Sequence, residues 1–182
     1  MNADVRAAPN HPPSSAPMPD PQSRDRMGGL FAEFAPGAIR LAYLLTGDRP
    51  LAEDVVQEAF VRVGGRLRHL RDPEGFGPYL RRTVVNLVRT EFRRRRLQRR
   101  HDALERPEPA SDLAGLGAIL ERDRLRAALL QLSARQRAAI VLRFYEDLSE
   151  REVADILGVR PGTVGSLVSR GLAILRASLG DE

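Results

Sequence analysis

The 182-residue chain carries 29 basic and 24 acidic residues, a formal charge of +5, which suits a polyanionic partner. It has no Cys, which excludes disulfides and thiolate metal sites. No apolar run approaches the roughly 20 residues of a membrane span, and the N-terminus lacks a charged-then-apolar signal pattern, so a soluble cytoplasmic protein is expected.

All 29 basic residues are Arg. Guanidinium forks match phosphate and guanine edges, although a genome rich in G and C produces the same bias. Residues 1–24 are rich in Pro, Ala and Ser with no apolar periodicity, and are expected to be a disordered tail. Helical patterning begins near Asp25, with Pro36 expected to break or kink it. Gly47 and Asp48 end this element. In Pro50–Val63, Leu51, Val55, Ala59 and Val63 share one face, and Glu53, Asp54, Gln57, Glu58 and Arg62 lie largely on the other.

Arg66–His101 holds 12 Arg against three acids (Asp72, Glu74, Glu91), whereas the rest of the chain has 17 Arg and 21 acids. The basic character is therefore local. Asp72–Pro73 reads as an N-cap and first-turn pair. Gly75 and Gly77 delay the helix until Phe76 or Pro78. Leu80, Val84, Leu87, Val88 and Phe92 then form an apolar stripe that packs on a core. Arg81, Arg82, Arg89 and Arg93–Arg96 cover the remaining surface as a phosphate track. Within it, Tyr79 and Phe76 could stack on an unpaired base and Asn86 could bond a base edge; the alternatives are core packing for Phe76 and solvation for Asn86.

Residues 99–117 lose periodicity and read as a linker, with a short turn at Leu113–Leu116. Order resumes at Ala118–Leu132, where Ile119, Leu125, Leu129 and Leu132 are expected to face a core. Ser133 and Gln136 form a capping box for Ala134–Glu146, which carries Ala139, Ile140, Leu142 and Phe144. A second box, Ser149 and Glu152, opens Leu148–Leu175. There Gly158 can turn left-handed and Pro161 suits the first turn of the next helix. A short helix, a glycine turn and a second helix make a helix-turn-helix. Residues 118–179 are thus a four-helix domain, and no stretch alternates long enough to build a sheet.

His11, His69 and His101 offer no paired ligands. Glu53, Asp54 and Glu58 have no second cluster to complete a metal shell, and no phosphate loop or nucleophile motif is present. Neither enzymatic activity nor a cofactor or metal is expected. The residues alone point to a binding and scaffolding factor, with a stand-alone helix-turn-helix regulator and an RNA-binding antitermination adaptor using Arg93–Arg100 as alternatives.

The order of these segments is more specific than any one of them. DVVQEAF, then DPEGFGPYLRRTVVNLVRTEFRRRR, then LSARQRAAIVLRFYEDLSEREVADILGVRPGTV resembles the extracytoplasmic-function (ECF) RNA polymerase sigma factors, in particular their actinobacterial subgroup. The resemblance implies an all-α fold of two small domains joined by a flexible linker. Residues 25–98 would be the second sigma region and 118–179 the fourth. Asp54, Gln57 and Glu58 match positions that dock on the clamp helices of the polymerase β′ subunit. Tyr79, Arg81, Arg82, Asn86, Arg89 and Arg93 match positions that melt and hold the −10 element. Arg160, Thr163, Ser166, Ser169 and Arg170 match positions that read the −35 major groove. The implied partners are core polymerase, through β′ and the β flap, promoter DNA and an anti-sigma factor, with no membrane insertion.

Two positions depart from the family pattern. Gly165 stands where Lys or Arg is usual, and Tyr79 where Trp is common. No large C-terminal extension is expected.

Overall fold

The computed structural model describes residues 21–64, 75–101 and 116–180. Among the described residues seven α-helices follow one another: α1 (Pro21–Thr46), α2 (Arg49–Gly64), α3 (Phe76–His101), α4 (Leu116–Gln131), α5 (Ala134–Ile140), α6 (Glu150–Leu157) and α7 (Pro161–Leu179). Among the described residues there is no strand. The expected tail (1–24) lies outside the described residues except for its last four positions, where α1 has already begun. The Asp72–Pro73 cap also lies outside them, as do most of the expected linker and its Leu113–Leu116 turn.

The first three helices pack as a bundle. Ala35, Ala38, Leu41, Ala42 and Leu45 of α1 meet Ala52, Val55, Val56, Ala59, Phe60 and Val63 of α2. Alanines at the contact let the helix axes approach, and β-branched Val fills the seam. From α3 come Phe76, Leu80, Val84, Val85, Leu87 and Val88, while Phe92 is half-buried. Phe76 is the aromatic hinge of this core, with ring centroids 5.1 Å from Phe34 and 5.8 Å from Phe60. Its expected alternative role, stacking on a base, is closed off by this burial. Pro36 does not break α1. It removes one helical hydrogen bond, but its ring faces solvent while Ala35 and Ala38 beside it are buried, so packing carries the helix through. Asp48 caps α2, accepting from the Leu51 amide at 3.1 Å.

The remaining helices form the second bundle. Both capping boxes are present: Ser133 with Gln136 before α5, and Ser149 with Glu152 before α6. Gly158 closes α6 at φ 64°, and Pro161 opens α7. Val153, Ala154 and Leu157 of α6 and Val164, Leu167 and Leu175 of α7 bury against Ala138–Leu142 and Leu129, Leu132 and Ala128.

One expectation for this bundle fails. Leu125 is exposed, because Arg126 takes the inward place at that level of α4, reaching the Gly47 carbonyl at 3.2 Å. Phe144 is 61% exposed. Here α5 gives way to a π-helical turn, Val141–Tyr145, whose extra residue per turn rotates Phe144 and Tyr145 away from the core. The side chain of Ile119 lies outside the described residues.

The two bundles are packed on each other, and their buried side chains form one contiguous cluster. At Gly47 the first bundle lies tight against Leu130 of the second. The Gly47 φ of 71° turns the chain from α1 to α2, and a Cβ there would lie 2.7 Å from the methyl groups of Leu130.

Candidate nucleic-acid interface

The apolar face of α2 is sunk in the first bundle, so the opposite face must be wet. Asp54, Gln57 and Glu58 all lie on it and are exposed. Glu58 pairs with Arg62 at 2.5 Å and Glu53 with Arg49 at 3.1 Å, both one turn apart. Such exposed pairs contribute little to stability. Asp54 and Gln57 are left as an open polar surface.

On α3 the 3.6-residue period sorts the expected −10 residues into two groups. Arg82, Asn86, Arg89 and Arg93 fall within one narrow strip, with Tyr79 at its edge. Arg82, Asn86 and Arg93 are exposed, and Tyr79 and Arg89 are half-buried. Burial lowers the Arg89 pKa, and the charges of Arg135 and Arg93 lower it further. Arg81 sits about a quarter turn away. It faces the second bundle, where its Nε donates to Glu146 at 2.5 Å, and the two side chains are 25% and 15% exposed. Farther along, Glu91 binds Arg94 and Arg95. Burial opposes its ionisation, but these hydrogen bonds and charges prevail and hold its carboxyl below the usual range. The track is therefore partly self-neutralised, and among the described residues Arg82 and Arg93 are exposed cations of it.

On α7 the expected −35 residues Arg160, Thr163, Ser166, Ser169 and Arg170 are all exposed. Arg160 is the N-cap, with extended backbone and no side-chain cap. Pro161 brings no amide proton and the Thr163 amide donates to the Arg160 carbonyl at 2.9 Å, so this end of α7 presents the exposed Arg160 and Thr163 side chains. Arg170 folds back to the Ser166 carbonyl at 3.1 Å. Gly165, Ser166, Ser169 and Arg170 line a shallow open depression. A Cβ on Gly165 would meet only the Glu150 carboxylate, at 3.6 Å, so no steric demand requires glycine there.

Three residues that the sequence reading did not single out join the bundles. Arg137 is buried at 6% exposure and donates to four carbonyls: Leu45 at 2.6 Å, Leu129 at 2.8 Å, Leu130 at 3.1 Å and Leu132 at 3.2 Å. None of these four partners is a carboxylate. Its charge is met instead by the C-terminal ends of α1 and α4, whose last carbonyls carry the negative end of each helix dipole. Desolvation lowers its pKa. The other two are Arg126 and Glu146. A signal for Arg137 did exist in the sequence: it lies three and four residues before Ile140 and Val141, on the apolar face.

Among the described residues no group of three or more His, Asp or Glu could hold a metal ion, and no helix is long and apolar enough to cross a membrane. Two helical modules, each with an exposed polyanion-facing surface, define a bipartite DNA-binding protein. Comparison with known proteins narrows this class. Residues 30–98 match the family model for Sigma-70 region 2, and residues 122–175 that for Sigma-70, region 4. The chain is 37% identical over 142 residues to the RNA polymerase sigma-E factor of Streptomyces coelicolor, covering 78% of each chain. It is 33% identical over 163 residues to the ECF RNA polymerase sigma factor SigL of Mycobacterium tuberculosis, covering 84% of this chain and 88% of that one.

Among solved structures it resembles the sigma factor RpoE in complex with the anti-sigma factor NepR from Bartonella quintana. That match has a TM-score of 0.72 and 26% identity, covering 85% of this chain and 97% of that one. It also resembles CnrH in complex with the cytosolic domain of CnrY, at a TM-score of 0.62 and 26% identity, covering 87% and 92%. The chain belongs to the ECF group of RNA polymerase sigma factors, and its function is to direct RNA polymerase to promoters.

Proposed function

We propose that the division of labour on this chain follows its three exposed surfaces. Residues 25–98 act as the second region and 118–179 as the fourth, with 99–117 as the tether. Asp54, Gln57 and Glu58 dock on the β′ clamp helices of core polymerase. Tyr79, Arg81, Arg82, Asn86, Arg89 and Arg93 hold the melted −10 strand. Arg160, Thr163, Ser166, Ser169 and Arg170 read the −35 duplex, and the fourth region meets the β flap. The protein catalyses no reaction itself and works in the cytoplasm.

The observation that carries this reading is the coexistence of unlike faces on one chain. An exposed acidic-polar face on α2 suits a protein partner. The Arg82–Asn86–Arg93 strip and the exposed Arg160 and Thr163 side chains at the start of α7 suit DNA. An arginine strip supplies sequence-independent grip, and an exposed Asn and a half-buried aromatic beside it suit bases that have left the stack. Tethering makes the second contact effectively intramolecular, so two modest grips act as one strong one. An anti-sigma factor is a further proposed partner, because the sigma factor RpoE, to which the chain is similar, was solved with one.

Transcription reconstituted with core polymerase on genomic DNA, followed by sequencing of the transcripts, tests the whole assignment. Gln57→Lys with Glu58→Lys should abolish binding to core enzyme and leave the fold intact. Undiminished binding would overturn the docking face.

A further inference from the structure

The reading above asks one chain to touch two promoter elements. Elements named −10 and −35 lie about 25 base pairs apart, roughly 85 Å along B-DNA at 3.4 Å per pair. A compact body of this size has a radius of gyration of about 15 Å and is about 40 Å across. The packed arrangement described here cannot reach both. The 14 residues between α3 and α4 span at most about 50 Å when extended, enough for the modules to separate while staying joined. DNA engagement therefore requires the interface between the bundles to part.

What that interface covers is informative. It leaves the −35 face of α7 and the α2 face exposed, and takes up the flank of the −10 track. Arg81 is ion-paired at 2.5 Å to Glu146, a residue 65 positions away at the end of the π-helical turn. The Glu152 carboxylate also feels the charge of Arg81. A carboxylate of the second bundle thus holds a guanidinium that a strand phosphate would otherwise use. The interface is not uniformly attractive, since Arg135 of the same bundle repels Arg89.

Resting on the proposed function, we infer that Glu146 is an intramolecular stand-in for a DNA phosphate. It occupies Arg81 in the free chain, so the fourth region competes with the −10 strand for the second region. Promoter engagement then exchanges one anionic partner of Arg81 for another.

The test uses the full chain. It contains no Cys, so Val61→Cys and Ala173→Cys supply unique exposed positions for a donor and an acceptor dye. The ligand is a short fluorescein-labelled single DNA strand of mixed sequence, followed by anisotropy on the undyed protein. Glu146→Gln should lengthen the dye distance and raise strand affinity roughly two- to fivefold, the range of a partly exposed ion pair. Arg81→Ala should lengthen the distance with no gain in affinity. Glu150→Gln removes an exposed carboxylate from the same bundle and calibrates the effect of net charge alone. An equal gain from Glu150→Gln and Glu146→Gln would overturn the proposal. So would an unchanged affinity in Glu146→Gln while the wild-type chain drives promoter-dependent transcription. Failure of the wild-type chain to drive transcription would instead overturn the sigma assignment and, with it, the need to open.

Discussion

Two glycines on α7 offer a controlled experiment on how the recognition helix is seated. Gly165 and Gly171 lie in the same helix, so replacing either with Ala gains the same intrinsic propensity, about 0.8–1 kcal/mol. Their surroundings differ. A Cβ at Gly165 makes ordinary contact with the Glu150 carboxylate at 3.6 Å. A Cβ at Gly171 would lie 2.5 Å from the Ile140 Cδ1 and 3.5 Å from the Gln136 Cβ. Carbon atoms rest at about 3.5–4.0 Å, so the Ile140 methyl must retreat by about 1 Å within a site that is only 6% exposed. Forcing an extra methyl into a packed core costs about 1–3 kcal/mol. Gly165→Ala should therefore stabilise the chain, while Gly171→Ala should be neutral to destabilising by about 2 kcal/mol.

Urea unfolding resolves the difference. At a slope of about 2 kcal/mol per molar, the two midpoints should separate by about 0.5–1.5 M. Ile140→Val removes the clashing methyl. Alone it should cost about 0.5–1.5 kcal/mol, and in the Gly171→Ala background it should cost nothing or restore stability. Coincident midpoints for the two glycine variants, or strict additivity of Ile140→Val with Gly171→Ala, would refute the close-approach reasoning.

Gly165→Arg should raise affinity for −35 duplex and steepen the dependence of log affinity on log salt by about 0.9, the value of one added phosphate contact. An unchanged slope would mean that the new arm is captured by Glu150. The Glu152 carboxyl is held low by its hydrogen bonds to the Ser149 hydroxyl and amide and by the charge of Arg81. A depressed folded-state pKa contributes stability above the ordinary carboxylate range that is lost as pH falls through the lowered value. An NMR titration should place the Glu152 midpoint below that of an unstructured Glu, and Ser149→Ala should move it back up.

Local devices were legible in the sequence. Ser133 with Gln136, Ser149 with Glu152 and the left-handed Gly158 operate over three or four residues, so the residues alone imply the geometry. The start of α3 at Phe76 was readable for the same reason. The family resemblance, not periodicity, separated the three exposed faces. What stayed hidden depends on distance or on a change of helix type. Arg137 reaches a carbonyl 92 residues away, and nothing near Leu45 announces it. Phe144 fits an α-helical stripe until the π turn rotates it outward. Arg81 looked like any other member of the basic track, because its partner lies in the other bundle. Of the break or kink expected at Pro36, the break does not occur, because the burial of its neighbours outweighs its missing amide.

The partners of Arg137 are shared unequally. Three of its four acceptors, on Leu129, Leu130 and Leu132, belong to its own bundle, and only the Leu45 carbonyl belongs to the other. A buried charge stripped of its partner costs about 3–5 kcal/mol. Here separation removes one acceptor of four, and water can take its place at the newly wetted surface. The charge travels with the α4–α5 corner and leaves no stranded group behind. The parting inferred above then needs no refolding of either bundle and falls in the class of domain motions, microseconds to milliseconds.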